Sequence, residues 1–276
     1  MFAVISDIHS NLEALTAVLK DIDARNIREV YCCGDVVGYG ANPLECLDLV
    51  ADRCVATVCG NHDQAVFYEP LNFNVSAERA AYWTRQMLED EGNKTRRDRR
   101  WEVLGRMPSQ MEAHDLLLVH ASPRRPVNEY LFAEDVYTNP NKILANFDRL
   151  GERYRACVVG HTHVPGVFLD DPLFDSPVDL AETNRYELTD EEKAIINVGS
   201  VGQPRDRDVR ASYVVVRRNG QIDGDSDDDD DDDPGAEYRA VVEFVRVEYD
   251  VEKAVRKILA VPDLDDFLGT RLLDGR

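Results

Sequence analysis

Five short polar clusters, each at the C-terminal end of an apolar run, constrain this chain more than anything else in it. In order they are Asp7-Ile8-His9, Gly34-Asp35, Gly60-Asn61-His62-Asp63, His120-Ala121-Ser122 and Gly160-His161-Thr162-His163. The runs ahead of them are Phe2 to Ile5, Val30 to Cys33, Val55 to Cys59, Leu116 to Val119 and Cys157 to Val159. Apolar runs of this length read as buried strands. Strands of one sheet carry their ends to a common edge, which is where α/β folds assemble sites. Five of the six histidines fall inside the clusters, and His114, the sixth, reads as structural.

The segments between the clusters fit that picture. Leu12, Leu15, Val18, Leu19 and Ile22 recur at helical spacing, with Asn11 placed to cap the helix over 11–25. A second helix opens at Pro43 (43–52), so the chain begins βαβαβ, which predicts parallel strands with right-handed crossovers. Residues 76–106 read as helical, and their Arg96, Arg97, Arg99 and Arg100 as a solvated helix face. Further strands are expected at 115–120, 155–160, 194–198, 211–217 and 237–248, with helices near 134–150 and 250–260. No linker interrupts residues 1–276, so one domain is expected, with residues 223–235 as a disordered acidic insertion at a hairpin tip.

If the clusters converge, one edge collects the carboxylates of Asp7 and Asp35, the Asn61 amide, and the imidazoles of His9, His62, His120, His161 and His163. So many bases packed together without a cation would compete for protons and leave lone pairs unpaired. Oxygen and nitrogen donors without thiolate suit Mn²⁺, Fe or Zn²⁺, and their number points to two ions. Asp35, central in the order, is placed to bridge them. Each piece alone is weak; the ordered set of five is hard to obtain from structural histidines.

Taken together these motifs resemble the signature of the calcineurin-like metallophosphoesterase superfamily. The segment Ile196-Asn197-Val198-Gly199-Ser200-Val201-Gly202-Gln203-Pro204-Arg205 also resembles the prokaryotic branch grouped with diadenosine tetraphosphatase-like proteins. The resemblance implies an α/β (α+β) four-layer αββα sandwich, two mixed central sheets flanked by helices. It implies one ion on Asp7, His9 and His163, another on Asn61, His120 and His161, and Asp35 between them. It also implies a metal-bridging hydroxide as nucleophile, with His62 assisting the leaving group. Two divalent ions, most simply Mn²⁺, are the implied cofactors.

One departure narrows the substrate. After Gly34-Asp35 the protein phosphatases and tetraphosphatases of this superfamily carry an arginine that clamps phosphate, often with an aspartate that orients the histidine. Here the run is Val36-Val37-Gly38-Tyr39-Gly40. Arg124, Arg205 and Asn61 are the remaining candidates for substrate contact, and Tyr39 and Tyr130 either line the pocket or simply pack. The expected function is hydrolysis of a small phosphomonoester or phosphodiester. A nucleotide polyphosphate or phosphoprotein phosphatase is the alternative enzyme, and a non-catalytic scaffold on the same fold the alternative of another class.

Composition bears on partners and compartment. In 276 residues, Lys+Arg 32 against Asp+Glu 53 gives a net charge of −21, and nine of the aspartates lie between Asp223 and Asp233. Such acidity argues against binding a nucleic-acid surface. It does not exclude a phosphorylated small molecule, since bound ions reverse the local field. Many acids beside only six lysines suggest adaptation to a salt-rich cytoplasm. Phe2 to Ile5 reads as a strand rather than a signal peptide, no apolar run is long enough to span a bilayer, and six cysteines without a CxxC pair read as cytoplasmic thiols.

Overall fold

The computed structural model describes residues 1–177, 179–180, 183–218 and 238–276. The expected acidic insertion at 223–235 lies outside the described residues.

Period-two burial explains the architecture. Strand β1 (Phe2–Ile5) is buried on both faces: Ala3 and Ile5 point one way, Phe2 and Val4 the other. The same split recurs in β5 (Leu116–Val119) and β6 (Ala156–Val159), where Leu116, Leu118, Ala156 and Val158 face one side and Leu117, Val119, Cys157 and Val159 the other. Three apolar layers follow. The first joins Ala3, Ile5, Tyr213 and Val215 to Leu15, Val18 and Leu47 of helices α1 (Leu12–Ala24) and α2 (Pro43–Arg53). The second lies between two sheets and holds Phe2, Val4, Leu118, Val158, Ile196 and Val214. The third packs Leu117, Val159 and Ile195 on Ile143 and Phe147 of a later helix. Helix, sheet, sheet, helix is the four-layer sandwich expected.

The first sheet takes β2 (Val30–Cys32) and β3 (Ala56–Thr57) on one side of β1. On the other side lie β11 (Ala211–Arg218), β12 (Tyr238–Val247) and β9 (Arg185–Thr189). Strands β1, β2 and β3 run parallel, while β11 is antiparallel to both β1 and β12. The second sheet has the order β4 (Gln110–Ala113), β5, β6, β10 (Ala194–Asn197), β7 (Gly166–Leu169) and β8 (Leu173–Asp175). Here β5, β6 and β10 are parallel and the outer pairs antiparallel. Both sheets are therefore mixed.

Element boundaries shift where turn chemistry intervenes. The helix expected over 76–106 is two helices, α4 (Val75–Glu89) and α5 (Lys94–Arg106). Asp90-Glu91-Gly92-Asn93 breaks the run, and the Asn93 side chain accepts the Arg96 N–H to cap α5. Likewise 134–150 divides into α6 (Asp135–Thr138) and α7 (Pro140–Leu150), since a proline favours the first turn of a new helix. The strand expected over Val55 to Cys59 contracts to β3, a parallel edge strand whose flanking Val55 is 60% exposed. Strands β4, β7, β8 and β9 and the short helix α3 (Asn61–Phe67) were not foreseen. The chain closes with α8 (Val251–Leu259), α9 (Asp266–Thr270) and a 3₁₀ turn at Arg271–Leu273. No helix among the described residues is long and apolar enough to cross a membrane.

Candidate metal centre

The C-terminal ends of β1, β2 and β3 in one sheet meet those of β5 and β6 in the other. Asp7 and His9 follow β1, Asp35 follows β2, Asn61 and His62 open α3, His120 follows β5, and His161 and His163 follow β6. The two sheets are laced together at this point. His120 Nδ1 donates to the Cys33 carbonyl at 2.8 Å, and the His161 N–H donates to Asp7 Oδ2 at 2.9 Å. All five polar clusters therefore converge, while His114 lies elsewhere, stacked on Phe2 and 2.7 Å from Glu29 Oε2.

The backbone carries strain at these positions. Asp7, His9, Asp35, His161 and His163 all have φ between +48° and +68°. Each such residue costs about 1–2 kcal/mol and persists only where its surroundings over-determine it. Five in one cluster mark a site built for geometry rather than stability. Close backbone approach is the other requirement: a Cβ on Gly60 would lie 2.0 Å from Asp35 Oδ1, and one on Gly160 2.1 Å from Asp7 Oδ2.

Donor atoms face each other without enough protons between them. A carbonyl can only accept, so His9 Nδ1 donates to Val37, His163 Nδ1 to Gln203 at 2.6 Å, and His120 Nδ1 to Cys33. These bonds turn the three Nε2 atoms inward, the arrangement that orients metal-binding imidazoles. The Nε2 atoms of His9 and His163 are 3.0 Å apart, and His120 Nε2 is 3.0 Å from His161 Nδ1 and 3.1 Å from Asn61 Oδ1. Asp35 Oδ2 lies between the two groups, 3.6 Å from His9 Nε2 and 3.4 Å from His120 Nε2. Among the described residues His161 Nε2 is buried with no hydrogen-bond partner, and Asp7 Oδ1, also buried, lies 3.1 Å from His163 Nε2. Three sets of donor atoms each fall within 4.8 Å: Asp7 with His9 and His163, Asp35 with His120 and His161, and His9 with Asp35 and His62. These residues fit divalent cations.

Burial disfavours charge on Asp7 and Asp35, yet His163 beside Asp7 and His120 beside Asp35 hold both carboxyls well below the ordinary range. Burial also works against a charged His120, but the Asp35 carboxylate outweighs it and raises the ring to about 9. Burial, reinforced by His120 at His161 and by Arg205 at His163, pushes those two rings down to about 3. His62 is likewise held down by burial.

Among the described residues no carboxylate hydrogen-bonds to the His62 ring. Its Nδ1 is buried without a hydrogen bond and abuts Gly38, where a Cβ would lie 2.5 Å away. The ring is held by packing instead, with centroids 4.3 Å from Tyr39, 4.6 Å from Phe73 and 4.9 Å from His9. Asp63 serves the loop. It accepts N–H bonds from Gly60, Asp35, Val36 and Val37, which favour its carboxylate while burial and Asp35 push it up.

The arginine candidates part ways. Arg124, at the surface, is paired with Glu129, while Arg205 Nη2 donates to Gln203 Oε1 at 2.8 Å and its guanidinium lies 5.9 Å from the Tyr39 ring centre. Tyr130 stacks on His161 at 3.9 Å and on Phe132 at 5.3 Å. Sequence reasoning gave no role to the buried residues after β10. Asn197 Nδ2 holds the Gly160 carbonyl and Thr162 Oγ1, and Ser200 Oγ donates to the Asp7 carbonyl. The polar run through 197–203 was visible, but which loop it braces depends on sheet order. One expectation is corrected: Arg100 is not on a solvated face but 5% exposed, clamped by Asp48 and Glu91.

Comparison with known proteins agrees with the geometry. Residues 1–220 match the calcineurin-like phosphoesterase superfamily domain. An uncharacterized protein of Methanocaldococcus jannaschii is 37% identical over 286 residues, covering 100% of this chain and 98% of its own. A metallophosphoesterase from Sphaerobacter thermophilus, known by crystal structure, is 33% identical with a TM-score of 0.75, covering 100% of this chain and 98% of that one. A hypothetical protein from Pyrococcus horikoshii OT3 shares the fold at 18% identity, TM-score 0.69 and the same coverage. This chain belongs to the calcineurin-like phosphoesterase superfamily.

Proposed function

We propose that this chain is a divalent-metal-dependent phosphoesterase acting on a phosphomonoester or phosphodiester of a small molecule. The observation that carries the reading is the facing of buried donor atoms around Asp35, with imidazole nitrogens paired at 3.0 Å. Asp7, His9 and His163 would hold one ion, Asn61, His120 and His161 a second, and Asp35 would be shared. Manganese suits this oxygen and nitrogen set without thiolate, and iron or zinc has the same donors. Bound there, such ions supply Lewis-acid charge for phosphoryl oxygens and lower the pKa of a coordinated water.

The protein's own groups do the rest. Backbone carbonyls of Val37, Cys33 and Gln203 fix the ring tautomers, so that Nε2 of His9, His120 and His163 face the centre. His62, held among Tyr39, Phe73 and His9, is the group available to give a proton or a hydrogen bond to the leaving oxygen. The net charge of −21 argues for a small phosphorylated substrate over a nucleic-acid surface, and with six unpaired thiols fits a salt-rich, reducing cytoplasm.

Hydrolysis of p-nitrophenyl phosphate and bis-p-nitrophenyl phosphate with Mn²⁺, for wild type and His62→Ala, tests this. Turnover that falls about a hundredfold in the variant is expected. Metal binding without turnover would favour the scaffold, and turnover indifferent to His62 would remove it from the mechanism.

A further inference from the structure

Three of the four imidazoles assigned to metal share one device, and the fourth lacks it. His9, His120 and His163 each donate from Nδ1 to a backbone carbonyl and turn Nε2 to the cluster. His161 is reversed. Its Nδ1 faces His120 Nε2 at 3.0 Å, and its Nε2, the nitrogen left to be held, is buried without a hydrogen bond among the described residues. A metal-binding histidine ordinarily donates that second N–H to a carbonyl, a carboxylate or water, which fixes the orientation of the ring.

What His161 has instead is an aromatic face. Tyr130 stacks on it with ring centroids 3.9 Å apart and planes inclined by 27°, while His120 meets it edge-on at 4.8 Å. Phe132 extends the stack, 5.3 Å from Tyr130 with the two planes inclined by 5°. A ring pressed against the imidazole opposes rotation about its Cβ–Cγ bond, the motion that the missing hydrogen bond would otherwise block.

Tyr130 is itself placed from both sides, although it lies in the irregular segment between β5 and α6. Ahead of it, Glu129 accepts from Ser122 Oγ at 2.8 Å and from Asn146 Nδ2 at 3.1 Å, and pairs with Arg124. Ser122 and Asn146 are both fully buried. Behind it, Leu131 is buried in one apolar cluster with Ile143 and Phe147. A satisfied buried polar network rigidifies the segment that carries it. Ser122 belongs to the His120-Ala121-Ser122 cluster, so the turn that supplies one ligand also anchors the loop that presents Tyr130 to another.

We propose that Tyr130 is the positioning residue of His161: its ring face holds the ligand imidazole that lacks a hydrogen bond, and so sets the affinity of the ion on Asn61, His120 and His161. This rests on the two-ion reading above. The other ion, on Asp7, His9 and His163, has both of its imidazoles held by backbone carbonyls and does not depend on Tyr130.

The experiment titrates the full chain with Mn²⁺ and follows the free ion by its electron paramagnetic resonance signal, which gives the affinity of each binding step without requiring turnover. Tyr130→Leu keeps the bulk and removes the ring, and should weaken one of the two steps about tenfold while the other is unchanged. Tyr130→Phe keeps the stack and should bind both ions as wild type does. In a His161→Ala protein, adding Tyr130→Leu should weaken nothing further. Both steps unmoved in Tyr130→Leu, or both weakened alike, overturns the proposal. A Tyr130→Phe protein as weak as Tyr130→Leu does so too, since the hydroxyl rather than the ring would then carry the effect, and so does an additive loss in the double variant. A wild type that binds fewer than two ions sinks the two-ion reading together with this one; two wild-type ions indifferent to Tyr130 sink this one alone.

Discussion

Gly60→Ala isolates the geometry of the Asp35 carboxylate with a single methyl group. Gly60 caps α3 with φ −85° and ψ 171°, a conformation alanine adopts freely, so no dihedral penalty enters. The added Cβ would lie 2.0 Å from Asp35 Oδ1 and 2.3 Å from Asp35 N. Relief needs a shift of roughly 1 Å, given normal contact distances near 3.5 Å. Overpacking of this kind costs about 1–3 kcal/mol. Two hydrogen bonds also stretch or break, from the His62 N–H to Asp35 Oδ1 and from the Asp35 N–H to Asp63 Oδ2, each 2.8 Å and each worth about 1 kcal/mol. The sum is about 3–5 kcal/mol, or roughly 10 °C in Tm for a chain of this size. Asp35 Oδ2, now 3.6 and 3.4 Å from the two inward nitrogens, would leave its midway position. Displacements near 1 Å commonly cost about a hundredfold in rate. Urea unfolding with and without Mn²⁺, beside turnover of p-nitrophenyl phosphate, measures all of this. Gly92→Ala is the control, since a Cβ there meets nothing within 4 Å. A Gly60→Ala protein within about 1 kcal/mol of wild type that keeps its Mn²⁺ stabilisation would refute the close-approach reasoning.

Other consequences are open to test. Phe73→Ala removes one wall of the packing that holds His62, so kcat should fall about tenfold with KM little changed; a drop in KM affinity alone would assign Phe73 to substrate contact. Arg100→Ala removes the buried guanidinium that Asp48 and Glu91 share, and should lower the midpoint of denaturant unfolding, with Glu91 keeping Arg96 as a partner. In metal-free protein, His161 and His163 sit near 3 in the fold against an ordinary 6.5, so their stabilisation is present above pH 6.5 and lost as pH falls toward 3. His120, raised to about 9, contributes fully below pH 6.5 and loses that contribution as pH rises through 9. The Tm of metal-free protein should therefore peak near neutrality and fall on both sides; a rise from pH 7 to pH 5 would contradict these assignments.

Much of this was legible because the site is written at strand ends. Phe2 to Ile5 and Leu116 to Val119 announce buried strands, and Asp7, His9 and His120 follow them directly. Asn11 caps α1 through the Ala14 N–H as its position suggested. What stayed hidden depends on tertiary neighbours. Nothing in the α5 sequence separates Arg100 from Arg96 or Arg99; it is the approach of Asp48 on α2 and of Glu91 ahead of α5 that clamps it. The missing carboxylate behind His62 was visible as an absence, but its replacement by Tyr39 and Phe73 comes from segments far apart in sequence. The left-handed backbone at Asp7, His9, Asp35, His161 and His163 has no sequence signature, since these are not glycines.

The most direct measurement is the number of Mn²⁺ ions bound per chain by equilibrium dialysis, for wild type and Asp35→Ala. Two donor groups meeting at Asp35 predict two ions in wild type, and in the variant a loss of at least one together with phosphoester turnover. A wild-type chain that binds no more than one ion, or an Asp35→Ala protein that keeps two, would contradict the dinuclear site.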